Sequence, residues 1–144
     1  MKFSTLSTAL SVASKRTLSQ QWNLARSKLL HTRAVMPYRP TTVSFYISSR
    51  CNLNCNTCPY HPAAEAPSHT SYVPSPYPDM DLATFSRLAR IYRAALNATI
   101  TAEGEPFLNP AIYAMVTLAA HRHHMTVKTS TNGLKICLLY TSDA

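Results

Sequence analysis

The sequence predicts an α/β fold built around a parallel sheet, because predicted strands and helices alternate along the chain. Three segments rich in β-branched and aromatic residues are typical of strands: Thr41–Ser48, Ala98–Glu103 and Thr126–Thr131. Two segments with apolar residues at helical spacing lie between them. Strands that alternate with helices in this manner form parallel sheets through right-handed crossovers. The length of 144 residues corresponds to one small domain.

A basic N-terminal arm, residues 1–40, precedes the first strand. The first acidic residue of the chain is Glu65, and eight Lys and Arg residues come before it. We predict a short helix at Gln20–Leu30, ended by Pro37 and Pro40. The arm has few aromatic residues that could stack on bases. Nucleic-acid binding is therefore disfavoured relative to a solvated basic helix packed at the edge of the domain.

The first connecting helix begins after Asp79 or Asp81, either of which can cap it. Its apolar residues recur at helical spacing: Leu82, Phe85, Leu88, Tyr92 and Ala95 or Leu96. The second connecting helix is predicted to have Asn109 as its cap and Pro110 at its first position. Its apolar stripe consists of Ile112, Met115, Val116 and Ala119.

Three histidines and an arginine close the second helix: His121, Arg122, His123 and His124. Positive charge suits the negative end of a helix dipole. We therefore interpret these histidines as a helix end rather than as metal ligands.

Three cysteines follow the first strand directly, in the pattern C-x3-C-x2-C: Cys51, Cys55 and Cys58. Thiolates are the usual ligands of iron–sulfur clusters, and this spacing lets three of them reach one cluster from a single loop. A four-iron cluster held in this way keeps one iron free of protein ligands. The spacing also leaves open a zinc site completed by His61, or cysteines without any metal. Disulfides among the three are disfavoured because they are too crowded to pair.

Two further turns follow predicted strands, as the cysteines do. Gly104-Glu105-Pro106 comes after the second strand, and Thr131-Asn132-Gly133 comes at the end of the third. In parallel α/β sheets, functional groups gather at the carboxyl ends of the strands. The cysteines and both turns are therefore expected at the same edge of the sheet.

This combination of motifs resembles the radical S-adenosylmethionine (radical SAM) superfamily. C-x3-C-x2-C directly after a first strand is similar to the signature of that family. The run GEPFLNP at 104–110 is similar to its glycine–glutamate motif, and Thr131-Asn132-Gly133 is similar to the turn after its third strand. Pro78-Asp79-Met80-Asp81 also resembles the start of the family's first helix. The resemblance covers roughly Thr41 to Lys135.

The resemblance implies a [4Fe–4S] cluster bound by Cys51, Cys55 and Cys58, with S-adenosyl-L-methionine chelating the fourth iron. It implies that three residues line the methionine end of that cofactor: Gly104, Glu105 and Pro106. A carboxylate there suits the cofactor's ammonium group. Cofactor contacts are also expected from Thr57, Thr131 and Asn132. Reductive cleavage of the cofactor yields a 5′-deoxyadenosyl radical that abstracts hydrogen from a substrate, so no protein side chain is assigned as catalytic.

Two positions depart from the family pattern. Thr57 stands where the family often has an aromatic residue before the third cysteine. Glu103 occupies the first position of a longer Gly-Gly-Glu-Pro pattern. Both departures concern cofactor contacts and leave the cluster ligands unchanged.

The fold implied by the resemblance is the first three strands of a partial (β/α)6 TIM-like barrel, with the radical SAM core at residues 41–136. Only three strands are predicted, and no helix follows the third, which indicates a truncated N-terminal fragment. Residues 137–144 lack amphipathic periodicity and resemble translated adapter sequence. We interpret them as a non-native tail and assign Cys137 no role.

The resemblance also implies an electron donor, such as a flavodoxin or ferredoxin, and we expect a cytoplasmic protein. No stretch of the sequence approaches the roughly 18 apolar residues of a membrane-spanning helix. The substrate stays open, because the family's specificity residues lie mostly further along the chain. The alternative function is a non-catalytic zinc- or iron–sulfur-binding module whose basic arm holds an acidic partner.

Overall fold

The computed structural model of the protein describes residues 16–30, 36–53, 55, 58, 60 and 78–135. Within these residues the helices are α1 (Leu18–Leu29), α2 (Leu82–Ile91) and α3 (Ile112–Thr117). The strands are β1 (Thr42–Tyr46), β2 (Asn97–Thr101) and β3 (Thr126–Lys128). A 3-10 turn at Pro106–Leu108 precedes α3, and a π-helical turn at Leu118–Arg122 extends it. The three predicted strands are present, but each ends earlier than predicted.

The strands form one parallel sheet in the order β1-β2-β3. Thr42 lies opposite Asn97, which in turn lies opposite Thr126. The predicted parallel sheet is therefore confirmed, and consecutive strands pair within it. Within the part of the chain that the structure describes, the sheet is open at both edges, so closure into a barrel stays a prediction.

The hydrophobic core lies between the sheet and the two crossover helices. Phe45 of β1 packs against Phe85 of α2, with ring centroids 4.7 Å apart. Alternation along β2 buries Ala98 and Ile100 in the same cluster. Helix α3 contributes Ile112, Met115 and, from its π-helical extension, Ala119.

The apolar stripe predicted for α2 is confirmed in its centre, where Phe85 is buried and Leu88 packs against the core, but not at its ends. The residues that α2 buries are Phe85 and Ala89. Leu82 and Tyr92, predicted on the same apolar face, are both exposed, because they are the first residue and the C-cap of a ten-residue helix.

Asp81 caps α2, and Asp79 does not. The Asp81 carboxylate accepts the Thr84 N–H at 2.6 Å, and this hydrogen bond is the main reason that the pKa of Asp81 is lowered. The predicted capping role of Asn109 is met only in part. Its side chain accepts the Ala111 N–H at 2.9 Å, but α3 begins at Ile112, two residues after the predicted start at Pro110, because a separate turn ends at Asn109.

The histidine-rich end of α3 differs from the prediction in its charge. Burial, followed by the charges of Arg122 and His124, lowers the pKa of His123. His123 is therefore a weak source of positive charge at the helix end. His124 adopts φ 53°, in the left-handed region that commonly ends helices.

Helix α1 docks on the sheet through buried amide side chains rather than through an apolar stripe. Gln20 Nε2 donates to the carbonyl oxygens of Ala95 and His123, both at 2.8 Å. Asn23 Nδ2 donates to the carbonyl oxygen of Arg39 at 3.0 Å. These carbonyls precede β2, β3 and β1, respectively. Helix α1 therefore lies across the amino ends of all three strands.

The start of α1 also depends on Gln20. The Thr17 hydroxyl accepts the Gln20 N–H at 3.3 Å, and Gln20 Oε1 accepts the Thr17 N–H at 3.0 Å. This capping box places the first helical residue at Leu18, two residues before the predicted start.

Replacing Gln20 with Ala is expected to lower the free energy of unfolding by about 2 kcal/mol, because it leaves buried carbonyls unpaired. Gln21→Ala is the matched control. The Gln21 side chain is exposed and donates only to the Arg16 carbonyl, so a change within about 0.5 kcal/mol is expected. Urea unfolding followed by circular dichroism measures both values. Equal losses in the two variants would contradict the docking role of Gln20.

Candidate metal and cofactor site

The backbone pairing between β1 and β2 continues beyond the strands into the cysteine loop, which we define as residues 50–59. Glu103 N–H donates to Ser48 O at 3.1 Å, and Glu105 N–H donates to Arg50 O at 2.8 Å. The residue immediately before Cys51 is therefore hydrogen-bonded to the turn after β2. The first cysteine is held at the carboxyl edge of the sheet by backbone contacts.

Gly104 lies against the start of the cysteine loop with no space for a side chain. A Cβ at this position would stand 2.0 Å from Arg50 O and 2.9 Å from Cys51 N. Only glycine permits this approach of two backbones. The contact explains in structural terms why a glycine stands in the Gly-Glu-Pro turn.

The Glu105 carboxylate joins the second and third turns. The side chain is fully buried. Its Oε1 accepts the Thr131 hydroxyl at 2.8 Å and the Phe107 N–H at 3.0 Å, while Oε2 accepts the Asn132 N–H at 2.8 Å. Three of the roughly four acceptor positions of a carboxylate are thus taken by protein donors.

Asn132 completes the connection between the three motifs. Its Nδ2 donates to Asn52 Oδ1 in the cysteine loop at 2.8 Å. Gly133 follows with φ 81°, a left-handed conformation that suits glycine. These contacts place the start of the cysteine loop, the Gly-Glu-Pro turn and the Thr-Asn-Gly turn at one edge of the sheet, as predicted.

Arg50 anchors the base of the cysteine loop, a role that sequence reasoning missed. Its guanidinium forms an ion pair with Asp79, in which Nε donates to Oδ1 at 3.0 Å and Nη2 contacts Oδ2. Nη2 also donates to Leu108 O at 2.8 Å, and the Ser48 hydroxyl donates to Asp79 at 2.8 Å. The only signal in the sequence was that Arg50 adjoins the first cysteine and Asp79 adjoins the helix cap.

Asn109 is a second residue whose site role was missed. Its side chain is buried, and Nδ2 donates to Ile47 O at 2.8 Å and to Met80 O at 3.0 Å. It therefore ties the end of β1 to the residue before the α2 cap. Sequence reasoning assigned it only to helix capping.

The three cysteines are free thiols with different surroundings. Cys51 and Cys58 are half-buried, whereas Cys55 is exposed. Burial raises the pKa of Cys51, opposed by backbone N–H groups that include that of Leu53, 3.4 Å from the sulfur. Cys58 N–H donates to Cys55 O at 3.0 Å, so the backbones of the second and third cysteines are hydrogen-bonded to each other.

Among the residues that the structure describes, no three His, Cys, Asp or Glu side chains are grouped closely enough to hold a metal ion. The chemistry of the donor set nevertheless fits an iron–sulfur cluster, because three unpaired thiols come from one short loop. The buried Glu105 carboxylate holds the Thr-Asn-Gly turn, and the close approach of Gly104 to Arg50 holds the Gly-Glu-Pro turn against the cysteine loop. Thr57, His61 and Cys137 lie outside the described residues.

Comparison of the chain with protein-family models, with curated proteins and with solved structures gives no match. Among the described helices, none has the length and apolar character needed to cross a membrane.

Proposed function

We propose that the protein is a radical SAM enzyme, or the N-terminal part of one. One observation carries the proposal. The cysteine loop, the Gly-Glu-Pro turn and the Thr-Asn-Gly turn follow consecutive parallel strands, and a network centred on Glu105 links them at one edge of the sheet. The spacing of the three cysteines adds to this support.

Cys51, Cys55 and Cys58 would hold three irons of a [4Fe–4S] cluster, and the thiols would ligate as thiolates. Burial raises the pKa of Cys51, so binding of iron at this residue must displace a proton. The exposure of Cys55 gives iron access to the loop from solvent.

The Gly104–Pro106 backbone would face the methionine end of S-adenosylmethionine, with further contacts from Thr57, Thr131 and Asn132. When bound, the reduced cluster would supply the electron that cleaves this cofactor to methionine and a 5′-deoxyadenosyl radical. Glu105 would act chiefly as a positioning residue, because its carboxylate already accepts three hydrogen bonds from protein groups. The Arg50–Asp79 ion pair would hold the base of the cysteine loop in place while the three thiolates bind iron.

Anaerobic reconstitution of the full chain with iron and sulfide tests this function. The expected product is brown and holds about four irons per chain, and it forms 5′-deoxyadenosine when dithionite and S-adenosylmethionine are added. Ala substitutions at Cys51, Cys55 and Cys58 are each expected to abolish both properties. Cys137→Ala is the matched control and should retain them.

One result would favour the non-catalytic alternative. Stoichiometric zinc with no iron, retained through reconstitution, would identify a zinc-binding module and end the radical SAM proposal. If 5′-deoxyadenosine is formed, the same assay can compare flavodoxin and ferredoxin as electron donors. A cytoplasmic location is part of this proposal.

A further inference from the structure

A cavity of about 460 Å³ lies at the amino ends of the strands, away from the cysteine loop. Helix α1, the segment before β1 and the loop after α2 form its walls. Polar residues such as Asn23 are part of its lining, together with three arginines and several aromatic or apolar side chains: Arg26, Arg39, Arg93, Trp22, Met36 and Tyr38.

Hydrogen bonds to one buried side chain fix the walls of this cavity. Asn23 Oδ1 accepts the Arg39 N–H at 2.9 Å, and Asn23 Nδ2 donates to Arg39 O and to Ala94 O at 3.0 and 3.1 Å. Asn23 thereby joins α1 to the other two walls. The cavity is therefore preformed, which lowers the entropic cost of binding a ligand.

The charge of the lining selects for anions. Arg26, Arg39 and Arg93 all line the cavity, and none of the lining residues that the structure describes is Asp or Glu. Within the described part of the chain, none of these three guanidinium groups takes part in an ion pair. Arg39 donates one hydrogen bond to Ile91 O at 3.2 Å, which leaves most of its five donors available. Guanidinium groups bind phosphate oxygens through paired, charge-assisted hydrogen bonds.

The aromatic residues select for a ligand with a flat ring. Trp22 is 67% exposed although it borders the cavity, and Tyr38 is half-buried beside it. Aromatic side chains stack readily on planar groups. The volume falls in the range of about 300–1,000 Å³ that is usual for small-molecule sites.

We infer that this cavity binds a free nucleoside phosphate, with its phosphates on the three arginines and its base against Trp22 or Tyr38. A polynucleotide fits less well, because single strands need a continuous basic groove with successive stacking residues. The inference does not depend on the cysteine loop, which lies at the opposite edge of the sheet.

Titration of the full chain with ADP tests the inference, because Trp22 is its only tryptophan and reports on the cavity directly. We expect saturable quenching of tryptophan fluorescence that weakens as salt is raised. Arg26→Gln and Arg93→Gln should each weaken ADP binding roughly tenfold or more. Arg87→Gln removes an equal charge from an exposed position outside the cavity, and it should leave the affinity unchanged. Circular dichroism confirms that each variant is folded.

Probes of part of the ligand separate the two halves of the inference. Adenosine and inorganic phosphate should each bind at least tenfold more weakly than ADP, because each lacks one half of the ligand. Adenosine binding as tightly as ADP would overturn the role of the arginines. Phosphate binding as tightly as ADP would overturn the role of the aromatic rings. Absence of ADP binding, or binding of oligonucleotides alone, would overturn the inference as a whole.

Discussion

Gly104→Ala is expected to destabilise the protein by about 3 kcal/mol or more and to prevent iron incorporation at the cysteine loop. The new methyl group would overlap Arg50 O, 2.0 Å away, and would crowd the Cys51 nitrogen. Both are backbone atoms next to the Glu105–Arg50 hydrogen bond, so neither can rotate aside. The loop must move as a whole, and its first thiol must move with it. Urea unfolding and iron per chain after reconstitution measure the two effects.

Gly133→Ala provides the matched control, since the chain contains only these two glycines. A Cβ at Gly133 has no neighbour within 4 Å, but the backbone has φ +81°. The expected cost is roughly 1–2 kcal/mol from backbone strain alone, with iron incorporation retained. If Gly133→Ala removed iron as completely as Gly104→Ala, close contact at Gly104 would not be the reason for the loss.

Glu105→Gln is expected to lower the free energy of unfolding by about 3 kcal/mol. The carboxylate accepts hydrogen bonds from the Phe107 N–H, the Thr131 hydroxyl and the Asn132 N–H, so all three of its partners are donors. The side-chain amide of glutamine would turn its NH₂ group toward at least one of these donors. That donor would then have no acceptor in a buried site. The Thr-Asn-Gly turn would then separate from β2. Faster hydrogen exchange at the Asn132 amide should report this separation directly.

Two further variants make the Glu105 prediction specific. Glu103→Gln removes the same charge two residues earlier, where the side chain is exposed, and should change stability by no more than about 0.5 kcal/mol. Thr131→Val deletes one of the three hydrogen bonds. In a double-mutant cycle, Thr131→Val should have a smaller effect in the Glu105→Gln background than in the wild type. Full additivity of the two substitutions would contradict a direct contact.

Local patterns in the sequence predicted the three strands and their parallel arrangement. Val43, Phe45 and Ile100 belong to short β-branched and aromatic runs, and such runs between helices imply parallel pairing. The same rule placed the cysteines and both turns at one edge. The strand ends were less predictable. Beyond Thr101, hydrogen bonds to the segment after β1 and to the cysteine loop continue as far as Glu105, but the residues there show no alternation of apolar and polar side chains that would mark where the strand stops.

Contacts between distant residues were not predictable from one sequence. Nothing around Arg50 indicates that it pairs with Asp79, 29 positions away. The positions of Glu105 and Thr131 on neighbouring turns followed from topology, but the hydrogen bond between them depends on side-chain geometry. Buried Gln20 is the clearest case, because glutamine in a basic arm is typical of exposed surface.

The position of α1 has a consequence for the order of folding. Gln20 binds carbonyls 75 and 103 residues further along the chain, at Ala95 and His123. Those carbonyls are in place only when β2 and β3 have joined the sheet, so α1, which precedes all three strands in the chain, is among the last described elements to dock. Closing loops of this length makes late steps slow. During refolding, the backbone amides of α1 should therefore become protected from hydrogen exchange later than those of the strands. Protection of α1 would then report that the three-stranded sheet is complete.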